Sequence, residues 1–202
     1  MPHDLTILES DSFRSCCANL SDYSAGLEES GEWPTASWKI LDQAGITDWF
    51  LPGEYGGAPQ PSQIQQLAYL ELASSCLTTT FALTQRNAAV SRILISDNEP
   101  LKERLTKRLA NHELFTTVGI SHLTTSRQHL NDPILKAIPT DAGWTLEGEI
   151  PWTTGADAAE MIVTGGVQPD GMQVLFALPT NLHGVTINAP PRLLALNESM
   201  TT

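Results

Sequence analysis

Three thiols, five imidazoles and a scatter of carboxylates are the residue types in this chain that could do chemistry unaided. Cys16, Cys17 and Cys76 are an odd number with no Cys-x-x-Cys spacing. Neighbouring cysteines bridge only with strain, so all three read as reduced thiols. His3, His112, His122, His129 and His183 are scattered, and no two stand four apart to put ligands on one helical face. The spacing therefore predicts no metal site. Glu71, Glu147 and Glu160 read as solvated or capping groups, because a general base must also reach the substrate proton. No residue is assigned as catalytic.

The chain has 202 residues, with 11 Lys+Arg against 23 Asp+Glu and a formal net charge of -12. That length suits one large domain or two small ones. Nucleic acid and anionic membrane surfaces are unsuitable partners, since binding to phosphate backbones draws on many lysines and arginines. The longest apolar runs fall well short of the ~20 residues that cross a bilayer. Residues 1–10 carry Asp4 and Glu9 and lack a basic start followed by an apolar stretch, so a cytoplasmic location is expected. Charge is uneven: through Glu71 the only basic residues are Arg14 and Lys39, whereas Arg86, Arg92, Lys102, Arg104, Lys107 and Arg108 crowd a short stretch. The basic run reads as the solvated face of an amphipathic helix, with a docking surface for an acidic partner as the alternative.

The elements that must position any site change character along the chain. Helices are expected over residues 35–44, 62–76, 78–95 and 99–110. Thr35 and Ser62 are the expected N-caps, Gln65 stands at the capping-box offset, and Gly45 can end a helix in a left-handed turn. Ile64, Leu67, Ala68 and Leu72 recur at three- and four-residue steps, which predicts one buried helical face. After Leu114 the pattern shortens to strand-like runs at 115–121, 134–138, 143–148, 160–165, 173–179 and 185–189, with turns at 141–143 and 169–171. The fold class predicted is α+β: an all-helical domain over residues 1–113, then a small β-barrel, complete or cut short, over 114–202.

Three segments carry a family resemblance. Leu51-Pro52-Gly53-Glu54-Tyr55-Gly56-Gly57, followed by Leu70-Glu71-Leu72-Ala73, resembles the Pro-Glu-Glu-Tyr-Gly-Gly segment and the next helix of the acyl-CoA dehydrogenase family, with Gly53 in place of the first glutamate. Gly148 to Ala159, containing Trp152, Thr154 and Gly155, is similar to the family's Gly-x-Lys-x-Trp-Ile-Thr-Asn segment. Thr116 to Ser121 resembles the strand that leads into the family's Thr-Glu-Pro-x-x-Gly-Ser-Asp loop, but His122-Leu123-Thr124-Thr125-Ser126-Arg127 follows where that loop is expected.

The resemblance implies a flavin, FAD, held by the backbone of Ile120, the hydroxyls of Ser121 and Thr154, and the ring of Trp152. A Trp/Thr pair two apart on a strand can face one side, and an isoalloxazine needs an apolar cover with a hydroxyl for its ring polar atoms. For Trp152 and Thr154 the plain alternative is a barrel-core tryptophan and a strand residue. Ser126 stands where the family meets the CoA pantetheine, or is an exposed loop hydroxyl. The implied reaction is oxidation of an acyl-CoA thioester to the 2,3-enoyl-CoA. The family's base comes from a C-terminal helical domain with no counterpart in these residues. The implied assembly is a homo-oligomer, or a hetero-oligomer with a chain supplying that domain. Two further readings are a non-catalytic partner of a full-length dehydrogenase and a flavin-dependent monooxygenase of the same superfamily.

Overall fold

A computed structural model describes residues 5–30, 32–124, 132–189 and 200–201. Among the described residues, five α-helices precede the first strand. Helix α1 (Asp11–Ser30) was not expected from the sequence. Ser10 starts it by accepting from the Phe13 N–H at 3.2 Å, and Phe13, Cys16 and Leu20 are buried along one face. Helix α2 (Thr35–Gln43) begins after Pro34 without a side-chain cap, and Thr35 turns its hydroxyl back to the Trp33 carbonyl instead of capping. Gly45 ends this unit at φ 69°, the left-handed turn expected of it.

Two short 3-10 turns, Ile46–Phe50 and Gly53–Tyr55, then carry the chain through the glycine-rich loop. Gly57 lies so close to the Leu51 carbonyl that no side chain fits there. Helix α3 (Ser62–Ser75) buries Ile64, Ala68 and Leu72, while Leu67 is exposed. Neither Ser62 nor Gln65 forms the expected capping box. Pro61 precedes the helix with no side-chain cap, and Gln65 Nε2 instead donates to the carbonyls of Trp49 and Gln60 at 3.1 and 2.9 Å.

Helix α4 (Leu77–Leu94) is buried on most sides, and helix α5 (Glu99–Ala110) packs Leu105 and Leu109 inward. Asn98 caps α5 by accepting from the Leu101 N–H at 3.1 Å. The apolar residues of α1, α2 and α3 meet Trp49 and Leu83 in one core, with Phe13 stacked on Trp49 at 5.8 Å.

The remaining elements are strand β1 (Thr116–Gly119), the one-turn helix α6 (Ser121–Thr124), and strands β2 (Leu135–Thr140), β3 (Gly143–Gly148), β4 (Thr153–Thr154), β5 (Met161–Val167), β6 (Gln173–Pro179) and β7 (Met200–Thr201). They form a mixed sheet in the order β1-β5-β2-β3, with β6 on β5, and a separate β4-β7 ladder. Strands β1 and β5 run parallel with Thr116 opposite Met161, and β5 and β6 are antiparallel with Met161 opposite Pro179. The expected α+β arrangement is present: helices, then a mixed sheet. Two strand expectations fail. Residues 185–189 pair with nothing regular among the described residues, and the strand expected over 115–121 stops at Gly119 because the chain turns into α6. Val118, Met161 and Val163 of the sheet share a second core with Ala89, Val90, Ile93, Leu105 and Leu109 of α4 and α5, so the helices back directly onto β1 and β5.

Candidate functional site at the end of strand β1

The first strand is rich in threonine, and its hydroxyls are consumed by backbone. Thr116 donates to the Met161 carbonyl at 2.9 Å and Thr117 to the Thr154 carbonyl at 2.7 Å. From the neighbouring strand, Thr164 donates to the Gly119 carbonyl at 2.7 Å. These bonds set β1 against both β5 and the segment containing β4. Gly119 completes the approach: a side chain there would lie 2.5 Å from Thr153 Oγ1 and 2.9 Å from Ile150. Beyond it, half-buried Ile120 packs on the second core, and its carbonyl accepts from the Leu123 N–H at 2.9 Å to close α6.

Against this background of satisfied hydroxyls, three buried side-chain atoms at the site have no partner among the described residues: Ser121 Oγ, His122 Nδ1 and Thr154 Oγ1. Buried polar atoms are nearly always hydrogen-bonded, and leaving one bare costs about 1–3 kcal/mol. The site therefore holds two spare hydroxyls and one spare ring nitrogen. His122 Nε2 is engaged with the Gly165 carbonyl at 2.8 Å.

Trp152 stands just before β4 rather than on it, and the residue is 38% exposed while Thr154 is 2% exposed. The strand alternation invoked for the pair does not apply, because Thr153 and Thr154 are both buried in a two-residue strand. After β4, Gly155 takes φ 65° with its Cα against the Trp33 ring. An exposed indole beside unsatisfied hydroxyls fits the needs of a planar, polar-edged cofactor such as a flavin. Ser126 lies outside the described residues.

Sequence reasoning missed His122. Its replacement of an expected glutamate was visible, but its tether to Gly165, 43 residues away, was not. The glutamates read as solvated stay so: Glu160 accepts an ion pair from Arg108 at 2.8 Å, and Glu71 and Glu147 are exposed.

Of two cavities among the described residues, one borders the segment around β4 and the other lies between helices. The first, of about 800 Å³, runs along the sheet between Trp144, Leu146 and Phe176 on one wall and residues 182–188 on the other. Its size suits a small-molecule site, and it borders the predicted segment at Gly148, Glu149, Ile150, Thr153 and Ala156, while Trp152, Thr154 and Ser121 are not in its lining. The other, of about 200 Å³, is lined by Trp38, Asp42, Arg86, His112 and Phe115, among others. Arg86 is 3% exposed and donates to the Thr47 carbonyl at 2.8 Å and to Asn87 Oδ1 at 3.0 Å. Burial pulls its guanidinium down to about 10, with Asp42 and Asp48 opposing the shift. His112 reaches Asp42 at 3.2 Å and Asp48 at 3.6 Å, tying the end of α5 to α2. This cluster is a packing network that joins helices. Among the described residues, no group of three or more His, Cys, Asp and Glu is placed to hold a metal, and no helix is long and apolar enough to cross a membrane.

Comparison with known proteins bears on the same elements. The chain is 23% identical over 188 residues to the probable acyl-CoA dehydrogenase YngJ of Bacillus subtilis (strain 168), covering 90% of this chain and 49% of that one. In fold it is similar to a chain from the electron transferring flavoprotein structure of Acidaminococcus fermentans, with a TM-score of 0.82 and 16% identity, covering all of this chain and 54% of that one. It is also similar to FMN-bound TdsC from Paenibacillus sp. A11-2, with a TM-score of 0.77 and 18% identity, covering 98% and 50%. The chain thus spans about half the length of these relatives. The family model of the acyl-CoA dehydrogenase N-terminal domain matches residues 10–113, just over half of the sequence, taking in helices α1 to α5 and the glycine-rich loop. With that match, the chain belongs to the acyl-CoA dehydrogenase family.

Proposed function

We propose that this chain is the flavin-contacting part of an acyl-CoA dehydrogenase-type oxidoreductase. One observation carries the reading. The two hydroxyls that the family resemblance assigns to the cofactor, Ser121 Oγ and Thr154 Oγ1, are buried and lack a partner, whereas the neighbouring hydroxyls of Thr116, Thr117 and Thr164 are all engaged. In this reading Ser121 and Thr154 take the polar edge of the isoalloxazine of FAD, Ile120 contributes backbone, and Trp152 covers a ring face. The bound flavin supplies the two-electron acceptor for converting an acyl-CoA thioester to its 2,3-enoyl-CoA.

This chain's residues orient the ring and exclude water. The proton-abstracting base comes from a C-terminal helical domain, in the same longer polypeptide or in an oligomeric partner. Ser126 is proposed for the pantetheine, and a division into domains at residues 113 and 114 belongs to the same proposal. The test is to join or mix this chain with a C-terminal helical domain of a family member and follow enoyl-CoA formation with an electron acceptor. Turnover that drops at least tenfold with Thr154→Val is expected, and no turnover by an assembly that has bound flavin would sink the assignment.

A monooxygenase of the same superfamily is the second reading. It is favoured by the folding of Ser121–Thr124 into α6, with His122 where the acyl-CoA loop would carry a glutamate. A structural relative, TdsC, is itself a dibenzothiophene monooxygenase. Dioxygen uptake with reduced flavin and a non-CoA substrate separates the two. A non-catalytic partner subunit is favoured only by the open hollow beside the exposed Trp144, and co-elution with a full-length dehydrogenase is its signature.

A further inference from the structure

The flavin reading leaves His122 unused, although its ring is buried and tethered to a distant strand. The residue is 9% exposed, and Nε2 lies 2.8 Å from the Gly165 carbonyl oxygen. A carbonyl only accepts, so in the neutral ring Nε2 carries the proton and Nδ1 keeps a lone pair. Gly165 itself lies in a tightly packed part of β5. A side chain at Gly165 would lie 2.6 Å from the Val174 carbonyl and 2.8 Å from both Leu123 and Leu175, so β6 and Leu123 of α6 pack closely against its Cα, and the bond to its carbonyl orients the ring. The fold therefore fixes the tautomer. What it leaves over, Nδ1, is shut off from solvent and has no partner, next in sequence to the equally unpartnered Ser121 hydroxyl. Ser121 and Thr154 can donate or accept, whereas Nδ1 can only accept. A ligand that satisfies all three must bring at least one N–H or O–H donor.

We propose that His122 is a cofactor-positioning residue whose Nδ1 accepts a hydrogen bond from the imide N–H of the oxidised isoalloxazine. The imide is the single N–H donor that ring system has. The inference rests on the flavin reading and adds an orientation to it: the imide edge faces the start of α6. The two side-chain amides separate the roles of the two ring nitrogens. His122→Gln can keep a donor near the Nε2 position, holding α6 to Gly165, while losing the acceptor at Nδ1. His122→Asn keeps an acceptor near Nδ1 and gives up the tether.

The experiment titrates FMN and its 3-methyl analogue, which lacks the imide N–H, against the 202-residue chain and both variants, followed by flavin fluorescence. Imidazole ¹⁵N shifts of the flavin-free chain provide a readout independent of binding. Expected are a pyrrole-like Nε2 and a pyridine-like Nδ1, and about tenfold weaker FMN binding in His122→Gln, the loss of one hydrogen bond. A similar penalty is expected for the methylated flavin in the wild type, with no further penalty in His122→Gln, and partial recovery in His122→Asn. The opposite tautomer, equal FMN affinity in wild type and His122→Gln, or a methyl penalty of equal size in both would overturn the proposal while leaving flavin binding intact. A wild-type chain that takes up neither flavin would overturn the flavin reading itself, and this inference with it.

Discussion

Thr154 separates stability from function within a single hydroxyl. Its Oγ1 is buried without a partner, and replacing such a group by an apolar one of the same shape removes a desolvation penalty. Thr154→Val is therefore expected to leave the flavin-free chain as stable or raise its stability by up to about 1 kcal/mol, while weakening flavin binding. Denaturant midpoints and flavin titration on the same protein check both signs. Cys16 gives a different handle. Burial, reinforced by the charge of Cys17, pushes its thiol from 9.0 up to about 12. In the unfolded chain this thiol ionises near its ordinary value, while in the folded chain it stays protonated. The stability it contributes is present in full below pH 9 and is lost as pH rises from 9 toward 12. Urea denaturation at pH 8, 9 and 10 should show falling stability, with a flatter profile in Cys16→Ala. At this scale family motifs mark Ser121, Trp152 and Thr154 in the sequence, whereas the unpartnered state of the two buried hydroxyls is visible only in the fold. The tautomer of His122 was not legible either, since it is set by a carbonyl on a strand distant in sequence.

The elements were read unevenly, and the failures share a cause. Helix α1 has buried Phe13, Cys16 and Leu20 at steps of three and four, but five serines and several charges within Asp11–Ser30 dilute that stripe. Its helicity comes from packing on Trp49 and the α3 face, a tertiary contribution that sequence periodicity does not register. Residues 185–189 show the converse. Val185, Thr186 and Ile187 have strand composition, yet a strand exists only when a partner edge is in register, and here these residues line the hollow instead. Helices α4 and α5 and the Gly45 turn were legible because their signals are local. The close approach of β1 to the β4 segment depends on Gly119. Gly119→Ala would press its methyl group into Thr153 and Ile150, and overpacking of this kind costs about 1–3 kcal/mol. A lowered denaturation midpoint is expected, with weaker flavin uptake because Ser121 and Thr154 are moved apart.

At the scale of the molecule, the uneven charge is largely resolved by the fold. In the basic run, Arg86 is buried and Arg92 caps the Ala88 carbonyl at 2.8 Å. Lys102 and Lys107 pair with Glu99 and Glu103 at 2.6 Å, and Arg108 pairs with Glu160 at 2.8 Å. The solvated-helix reading suits Lys102, Lys107 and Arg108 of α5 and fails at Arg86, which is buried. The helices and the sheet share a core through Val118, Met161 and Val163, so the end of β1 is carried on a rigid base, and the spare hydroxyls there are held in place before any ligand arrives. The central claim is that this end of the molecule receives a flavin. The most direct measurement is titration of FAD and FMN into the 202-residue chain, followed by flavin fluorescence and by visible absorbance after gel filtration, with Trp152→Ala and Thr154→Val alongside. Saturable quenching and retained yellow colour in the wild type, with weaker uptake in both variants, is the predicted result. A colourless protein with unquenched flavin, or uptake that ignores both substitutions, would contradict the account.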